Sequence, residues 1–127
     1  MRNVLMAAGR VALASLFLLG GASKLASFGE TAARMAEAGL VPATPLLCAT
    51  IALEIVGGGA VALGRRFALP ACLALAAFTL ATNAVFHDFW SYEGERRALE
   101  LSLFFKNLSI AGGLLYVAGM SLPPRPA

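Results

Sequence analysis

Four long apolar stretches, separated by shorter polar segments, dominate the pattern of hydrophobic and polar positions along the chain. They cover about residues 4–22, 44–63, 67–86 and 98–120. A helix needs about 20 mostly apolar residues to cross the hydrocarbon core of a bilayer, and each stretch has about that length. The pattern therefore predicts four membrane-spanning helices.

The first stretch has an alternative interpretation, because a secretory signal peptide also joins a basic residue to an apolar run. Arg2 and the run from Leu16 to Leu19 fit that description. Arg10, however, interrupts the apolar run, and no clean cleavage site of small residues follows it. We therefore expect the stretch to be retained as a membrane helix.

The connections between the stretches predict which helices are neighbours. The second connection is only Gly64-Arg65-Arg66, which is long enough for an antiparallel hairpin and for little else. In the first connection, residues 30–38 have an acidic first turn and an amphipathic pattern, and Gly39 and Pro42 follow. A short helix at the membrane interface and an ordered loop both fit this segment.

The predicted fold class is accordingly an all-α, integral-membrane, antiparallel four-helix bundle. A short interfacial helix is placed between the first and second spans, and residues 1–127 form a single membrane domain. The composition agrees, since 59% of the residues are hydrophobic and only 13% are charged. A soluble domain usually carries about 25% charged residues, so a soluble enzyme is excluded, and disorder is excluded by the high hydrophobicity.

The net charge and the small number of reactive side chains exclude several kinds of partner and cofactor. The net charge is +3 without a basic run, so no nucleic-acid partner is expected. The two cysteines, Cys48 and Cys72, form no Cys-x-x-Cys motif, and one histidine cannot supply two haem ligands. We predict no metal site, because His87 with Asp88 and Glu93 is too sparse a set.

The orientation in the membrane follows from the arginines. An even number of spans places both termini on one side, which carries no acidic residue and five arginines: Arg2, Arg10, Arg65, Arg66 and Arg125. The other side carries four basic residues, Lys24, Arg34, Arg96 and Arg97, so the count of Lys and Arg on which the positive-inside rule rests differs little between the two sides. The short Arg-Arg turn and the absence of acidic residues nevertheless predict that the termini are cytoplasmic.

Six polar residues inside or at the ends of the spans are the candidate functional residues, because polar groups at membrane depth usually face the interior of a bundle. They are Lys24, Glu54, Asn83, His87, Lys106 and Asn107. Helical phase places Lys106 on a stripe with Ser102, Ser109, Gly113 and Tyr116, which we assign to the bundle interior. We expect Glu54 to pair with Lys106 or Lys24, in a network with Asn83 and Asn107.

Two interpretations of this polar cluster remain open. In one, the cluster is a structural lock that fixes the register of the helices. In the other, it lines a small pocket that opens outward with His87 at its mouth. The glycines inside the spans (Gly20, Gly21, Gly57, Gly58, Gly59, Gly112 and Gly113) are expected to allow close helix packing, with a ligand cavity as the alternative.

Several short motifs resemble the DoxX family of small bacterial inner-membrane proteins, and the resemblance covers about residues 4–120. The motifs are Gly21-Ala22-Ser23-Lys24-Leu25, Gly39-Leu40-Val41-Pro42, Glu54 with Gly57-Gly58, Gly64-Arg65, Phe86-His87-Asp88-Phe89-Trp90, Phe105-Lys106-Asn107 and Gly112-Gly113-Leu114-Leu115. The resemblance implies a bacterial inner-membrane location and a link to membrane oxidoreductases or to thiol and oxidative stress. The family's recurring polar positions correspond to Lys24, Glu54, His87, Lys106 and Asn107.

Two hypotheses about function follow. The first is an accessory or ligand-binding subunit of a membrane redox system, with a quinone as the candidate ligand of the polar cluster. The second is a non-enzymatic scaffold or assembly factor in which the cluster is only a structural lock. We expect no catalytic activity from the isolated chain and assign no catalytic residue. The expected partners are the lipid bilayer, membrane redox proteins and, for a homo-oligomer, further copies of the chain.

Overall fold

The computed structural model describes residues 1–64 and 67–122, and within them the chain forms five helices and no strand. The helices are α1 (Arg2–Ala26), α2 (Phe28–Glu37), α3 (Ala43–Leu63), α4 (Ala68–Phe86) and α5 (Gly94–Met120). Helix α3 contains a π-helical turn at Leu53–Gly57, and a 3₁₀ turn at Phe89–Ser91 lies between α4 and α5.

Four of these helices are long and apolar enough to cross a membrane: α1, α3, α4 with the turn that follows it, and α5. The predicted fold class is therefore confirmed, and α2 lies between the first two spans where the short helix was expected. Helix α5 begins at Gly94 rather than near residue 98, because Glu95, Arg96 and Arg97 can be helical without lying in lipid.

The four long helices form a ring in which each has two neighbours. Helix α1 packs on α3, α3 on α4 and α4 on α5, while α5 touches α1 only over a short length. Within the described residues, α5 does not approach α3. Small and branched side chains fill the centre: Ala14, Phe17, Val61, Cys72, Leu75, Ala76, Ala111, Leu114 and Ala118.

Glycines end two of the helices, as their positive φ angles allow. Gly39 (φ +80°) ends α2: its N–H donates to the Ala36 carbonyl and the Leu40 N–H donates to the Met35 carbonyl. Gly64 (φ +65°) ends α3. The predicted hairpin residues Arg65 and Arg66 lie outside the described residues, as does Arg125.

Several of the glycines within the spans lie at close helix contacts, as expected. A methyl group on Gly21 would lie 2.9 Å from the Ile55 side chain, and one on Gly57 would lie 3.2 Å from Leu75. Gly59 and Gly112, in contrast, face open space. Close packing thus accounts for some of these glycines and not for all of them.

Candidate functional site

The most buried charge in the described part of the chain is Glu54, and Lys24 pairs with it. The Lys24 ammonium donates to both carboxylate oxygens, at 2.9 Å to Oε1 and 3.0 Å to Oε2. The Glu54 side chain is 6% exposed and the Lys24 side chain is 31% exposed. A buried carboxylate needs such a partner, because an isolated charge in a medium of low dielectric is very costly.

Local backbone structure brings these two side chains together. Glu54 lies in the π-helical turn of α3, and Lys24 lies near the end of α1. A methyl group on Gly20 would lie 3.4 Å from Glu54 Oε1 and 3.5 Å from Lys24 Nζ. Gly20 therefore lies directly beside the ion pair, at a distance that a methyl group would fill with ordinary van der Waals contacts.

A second polar group joins α4 to α5. Asn83, which is 1% exposed, donates from its amide nitrogen to the Phe104 carbonyl at 3.0 Å. Its amide oxygen accepts a hydrogen bond from Asn107 at 3.2 Å. Both ends of the Asn83 amide are thus bonded to α5, so this group fixes the register of the two helices.

A third polar group lies at the end of the same α4–α5 contact. His87 Nδ1 is 2.8 Å from Glu100 Oε2, and the two side chains are 24% and 14% exposed. Beside them, Phe89 stacks edge-on against Phe104 with ring centroids 5.3 Å apart. The turn after α4 is therefore held on α5 by a polar pair and by aromatic packing.

Lys106 lies outside all three groups. It is exposed, near the middle of α5, and it makes no hydrogen bond or ion pair with any described residue. The expectation that its stripe faces the interior is wrong: Ser102, Ser109 and Tyr116 are also exposed, although Gly113 on that stripe lies beside Leu13 of α1. The interior face of α5 carries Asn107, Ala111, Leu114 and Ala118 instead.

The predicted cluster is thus divided into separate groups. Lys24 and Glu54 pair between α1 and α3, as one of the two predicted pairings requires, whereas Asn83 with Asn107 and His87 with Glu100 join α4 to α5. Lys106 cannot serve as the partner of Glu54, because α5 does not approach α3 in the described residues.

Sequence reasoning missed two features of these groups. The π-helical turn at Glu54 has no sequence signal beyond the three glycines that follow it. The Glu100 carboxylate lies inside the predicted fourth span but was not among the candidate residues, so its pairing with His87 was missed. Within the described residues, no three His, Cys, Asp or Glu side chains gather in a way that could hold a metal ion.

Comparison with known proteins points to the same family as the sequence motifs. The DoxX family model matches residues 5–88, which include all but the first three residues of α1 and the whole of α2, α3 and α4. The inner membrane protein YphA of Escherichia coli (strain K12) is 32% identical over 119 residues, which cover 92% of this chain and 83% of that protein. No solved structure matches the chain.

Proposed function

The chain belongs to the DoxX family, and on that premise we propose that it is a non-catalytic accessory subunit of an inner-membrane protein complex. Its buried polar pairs hold the bundle together, and Lys106 joins it to a partner subunit within the membrane. The resemblance to subunits of membrane oxidoreductases makes a redox system the expected complex. The inner-membrane location is supported by the name of the Escherichia coli relative.

One contrast carries this proposal: five of the six candidate residues have polar partners inside the bundle, and Lys106 has none among the described residues. A pair whose donors and acceptors are already used is suited to fixing structure. An unpaired ammonium at membrane depth costs about 2.5–3.5 kcal/mol on the insertion scale. An acidic side chain of a partner helix would remove much of that cost.

The surroundings of Lys106 suit a helical partner. Ser102 and Ser109 lie within about one helical turn of Lys106 and are exposed on the same side of α5, and small residues allow membrane helices to approach closely. We call the face formed by Ser102, Lys106 and Ser109 the outer face of α5. Its chemistry fits an apolar helix that carries one carboxylate at the level of Lys106.

Photo-crosslinking in native membranes tests this proposal. A photoreactive phenylalanine analogue replaces Ser109 on the outer face, or Val56, which is 71% exposed on α3, as the control. We expect a different membrane protein to be crosslinked from position 109 and not from position 56. Lys106→Glu should abolish the product, and Lys106→Arg should retain it.

Two results would contradict the accessory role. One is a product that is equally strong from both positions or that survives Lys106→Glu. The other is a product made only of two copies of this chain, which would indicate a homo-oligomer instead.

A second candidate function, quinone binding at the Lys24–Glu54 pair, is favoured by two observations. The Lys24 side chain is about a third exposed, and its ammonium uses two of its three N–H donors on Glu54. Glu54 also lies in a π-helical turn, a feature that is frequent at functional sites. Lys24 would donate to a quinone carbonyl, and Glu54 would hold or release a proton.

Quinone content of the purified protein distinguishes the two functions. Wild type, Lys24→Met and Lys106→Met are extracted in a mild detergent, and bound quinone is measured by chromatography. Quinone that is present in wild type and in Lys106→Met but lost in Lys24→Met would favour the quinone site. Protein without quinone in all three samples would count against it.

A further inference from the structure

A cavity of about 460 Å³ lies between α1 and α5, at the end of the bundle that carries both termini. None of the residues that line it belongs to the polar pairs described above. Its walls are mostly apolar and include Leu5, Gly9, Leu13, Tyr116 and Val117. Pockets that hold small ligands have volumes of about 300–1,000 Å³ and few polar groups, so the size and the lining suit an apolar chain with one polar end.

Arg10 supplies a charged group to this cavity, and no described residue serves as its partner. Its Nε is buried and has no hydrogen-bond partner among the described residues. A guanidinium has five N–H donors and keeps its charge in proteins, and buried polar groups are nearly always bonded. The partial negative charge at the end of α3 attracts the guanidinium, but it provides no acceptor here.

The rest of the chain offers Arg10 no acidic partner at this end. All seven acidic residues lie in the first connection, in the middle of α3, or between His87 and Leu101. Residues 65–66 and 123–127, outside the described ranges, contain no acidic side chain. No acidic side chain at this end can therefore serve as a counter-ion for Arg10, whereas an anionic group of another molecule can.

The position of the guanidinium indicates what that molecule is. Arg10 contacts Gly64, which is the residue that ends α3, so the guanidinium lies at the level where a spanning helix leaves the membrane. The cavity extends from there along α1 and α5, which touch only over a short length. An anion at headgroup level and an apolar cavity below it fit an amphiphile with one anionic head and an acyl chain.

We propose that this cavity binds an anionic phospholipid, with its phosphate on Arg10 and part of an acyl chain between α1 and α5. A free fatty acid shares the same chemistry of an anionic head and an apolar tail. The phospholipid fits better, because its phosphate accepts several hydrogen bonds and a guanidinium can donate two of them in parallel. Basic pockets between membrane helices are known to hold phospholipid headgroups. This proposal does not depend on the function assigned to Lys106.

Native mass spectrometry of the delipidated full chain tests the proposal. Phosphatidylglycerol, phosphatidylcholine and oleate are titrated separately, and the lipid that remains bound is counted. We expect one phosphatidylglycerol to be retained and to bind at least about 10-fold more tightly than phosphatidylcholine. Arg10→Gln should weaken the binding of phosphatidylglycerol about 10-fold, the change expected when a hydrogen bond to a charged group is lost.

Two further variants separate the site from general effects on folding. Arg2→Gln removes an exposed arginine of the same helix and should leave binding unchanged. Gly9→Phe keeps Arg10 but fills the cavity, because Gly9 lines it and has free space beside its Cα. It should also abolish retention of phosphatidylglycerol. Binding that is unchanged in Arg10→Gln and Gly9→Phe would overturn the site, and retention of oleate without phosphatidylglycerol would overturn the phospholipid assignment.

Discussion

At the scale of single residues, the Lys24–Glu54 pair shows how this chain tolerates charge inside an apolar bundle. The carboxylate accepts two hydrogen bonds from one ammonium and is almost fully enclosed. Breaking a buried pair costs about 3–5 kcal/mol, because the remaining charge is left without compensation. Because Lys24 is partly exposed, water compensates its charge when Glu54 is removed. The enclosed Glu54 carboxylate is therefore the member of the pair that suffers more from the loss of its partner.

A double-mutant cycle should reveal this coupling. We expect Glu54→Gln and Lys24→Met each to lower the free energy of unfolding, and the double variant to lose less than their sum by about 0.5–3 kcal/mol. Thermal unfolding in detergent, followed by circular dichroism, provides the measurement. Lys106→Met is the matched control and should leave stability unchanged; strictly additive losses at positions 24 and 54 would contradict the coupling.

At the scale of the elements, contact between helices depends on positions without a side chain. Gly21 faces Ile55 so closely that a methyl group would require that side chain to move, whereas Gly112 faces open space. The two glycines therefore have different roles even though both lie inside spans. Close approach of helices is the main source of packing energy in lipid, where the hydrophobic effect does not drive association.

Alanine at these two glycines should have different effects on stability. Gly21→Ala should lower the melting temperature, because the α1–α3 contact must open. Gly112→Ala should leave it unchanged or raise it, since alanine is the better helix former by about 0.5–1 kcal/mol. The same thermal assay applies. Equal changes in melting temperature at both positions would show that the close contact at Gly21 does not affect stability.

The α4–α5 contact makes a second prediction at this scale. Asn83→Leu should destabilise the chain by about 0.5–2 kcal/mol, because hydrogen bonds between membrane helices have that size and Asn107 would lose its acceptor. Thr82→Val is the control, since the Thr82 hydroxyl bonds only to its own helix. Loss of stability in Thr82→Val equal to that in Asn83→Leu would contradict the role of Asn83 between helices.

At the scale of the whole molecule, charge is distributed unequally between the two ends of the bundle. The end with the termini carries arginines and no acidic side chain, while the other end carries most of the acidic residues. The surfaces that face lipid and the core are mostly apolar, so the difference in charge between the two ends is the main electrostatic asymmetry of the molecule. It predicts one orientation in the membrane.

Reporter fusions test that orientation. A fluorescent protein fused to the C-terminus should fluoresce in cells, because the end that carries arginines and no acidic side chain is expected on the cytoplasmic side. Alkaline phosphatase should be inactive at the same position and active when it is inserted after Gly39. The reverse pattern of activity would show that the termini are periplasmic.

Features of single helices could be predicted from the sequence, whereas most contacts between helices could not. The spans could be predicted because bilayer thickness fixes their length, and the end of α2 could be predicted because Gly39 adopts a positive φ. The placement of Lys106 failed, since a polar stripe was assumed to face inward while α5 packs through Asn107, Ala111 and Leu114. The partner of His87 was missed because Glu100 lies on the next helix, where phase on a single helix gives no information about contacts.

The pairing of α1 with α3 has a consequence for biosynthesis. A nascent chain emerges from the ribosome in order, so α1 enters the membrane before Glu54 is synthesised. An ionised side chain near the centre of a lone helix opposes insertion by about 2.5–3.5 kcal/mol, and among the described residues Lys24 offers the compensating charge. We therefore expect α1 to stay beside the translocon until α3 is inserted, so that Lys24 can pair with Glu54.

In an insertion assay, a reporter protein that carries α3 alone should integrate poorly, and integration should recover when α1 precedes it but not when that α1 carries Lys24→Met.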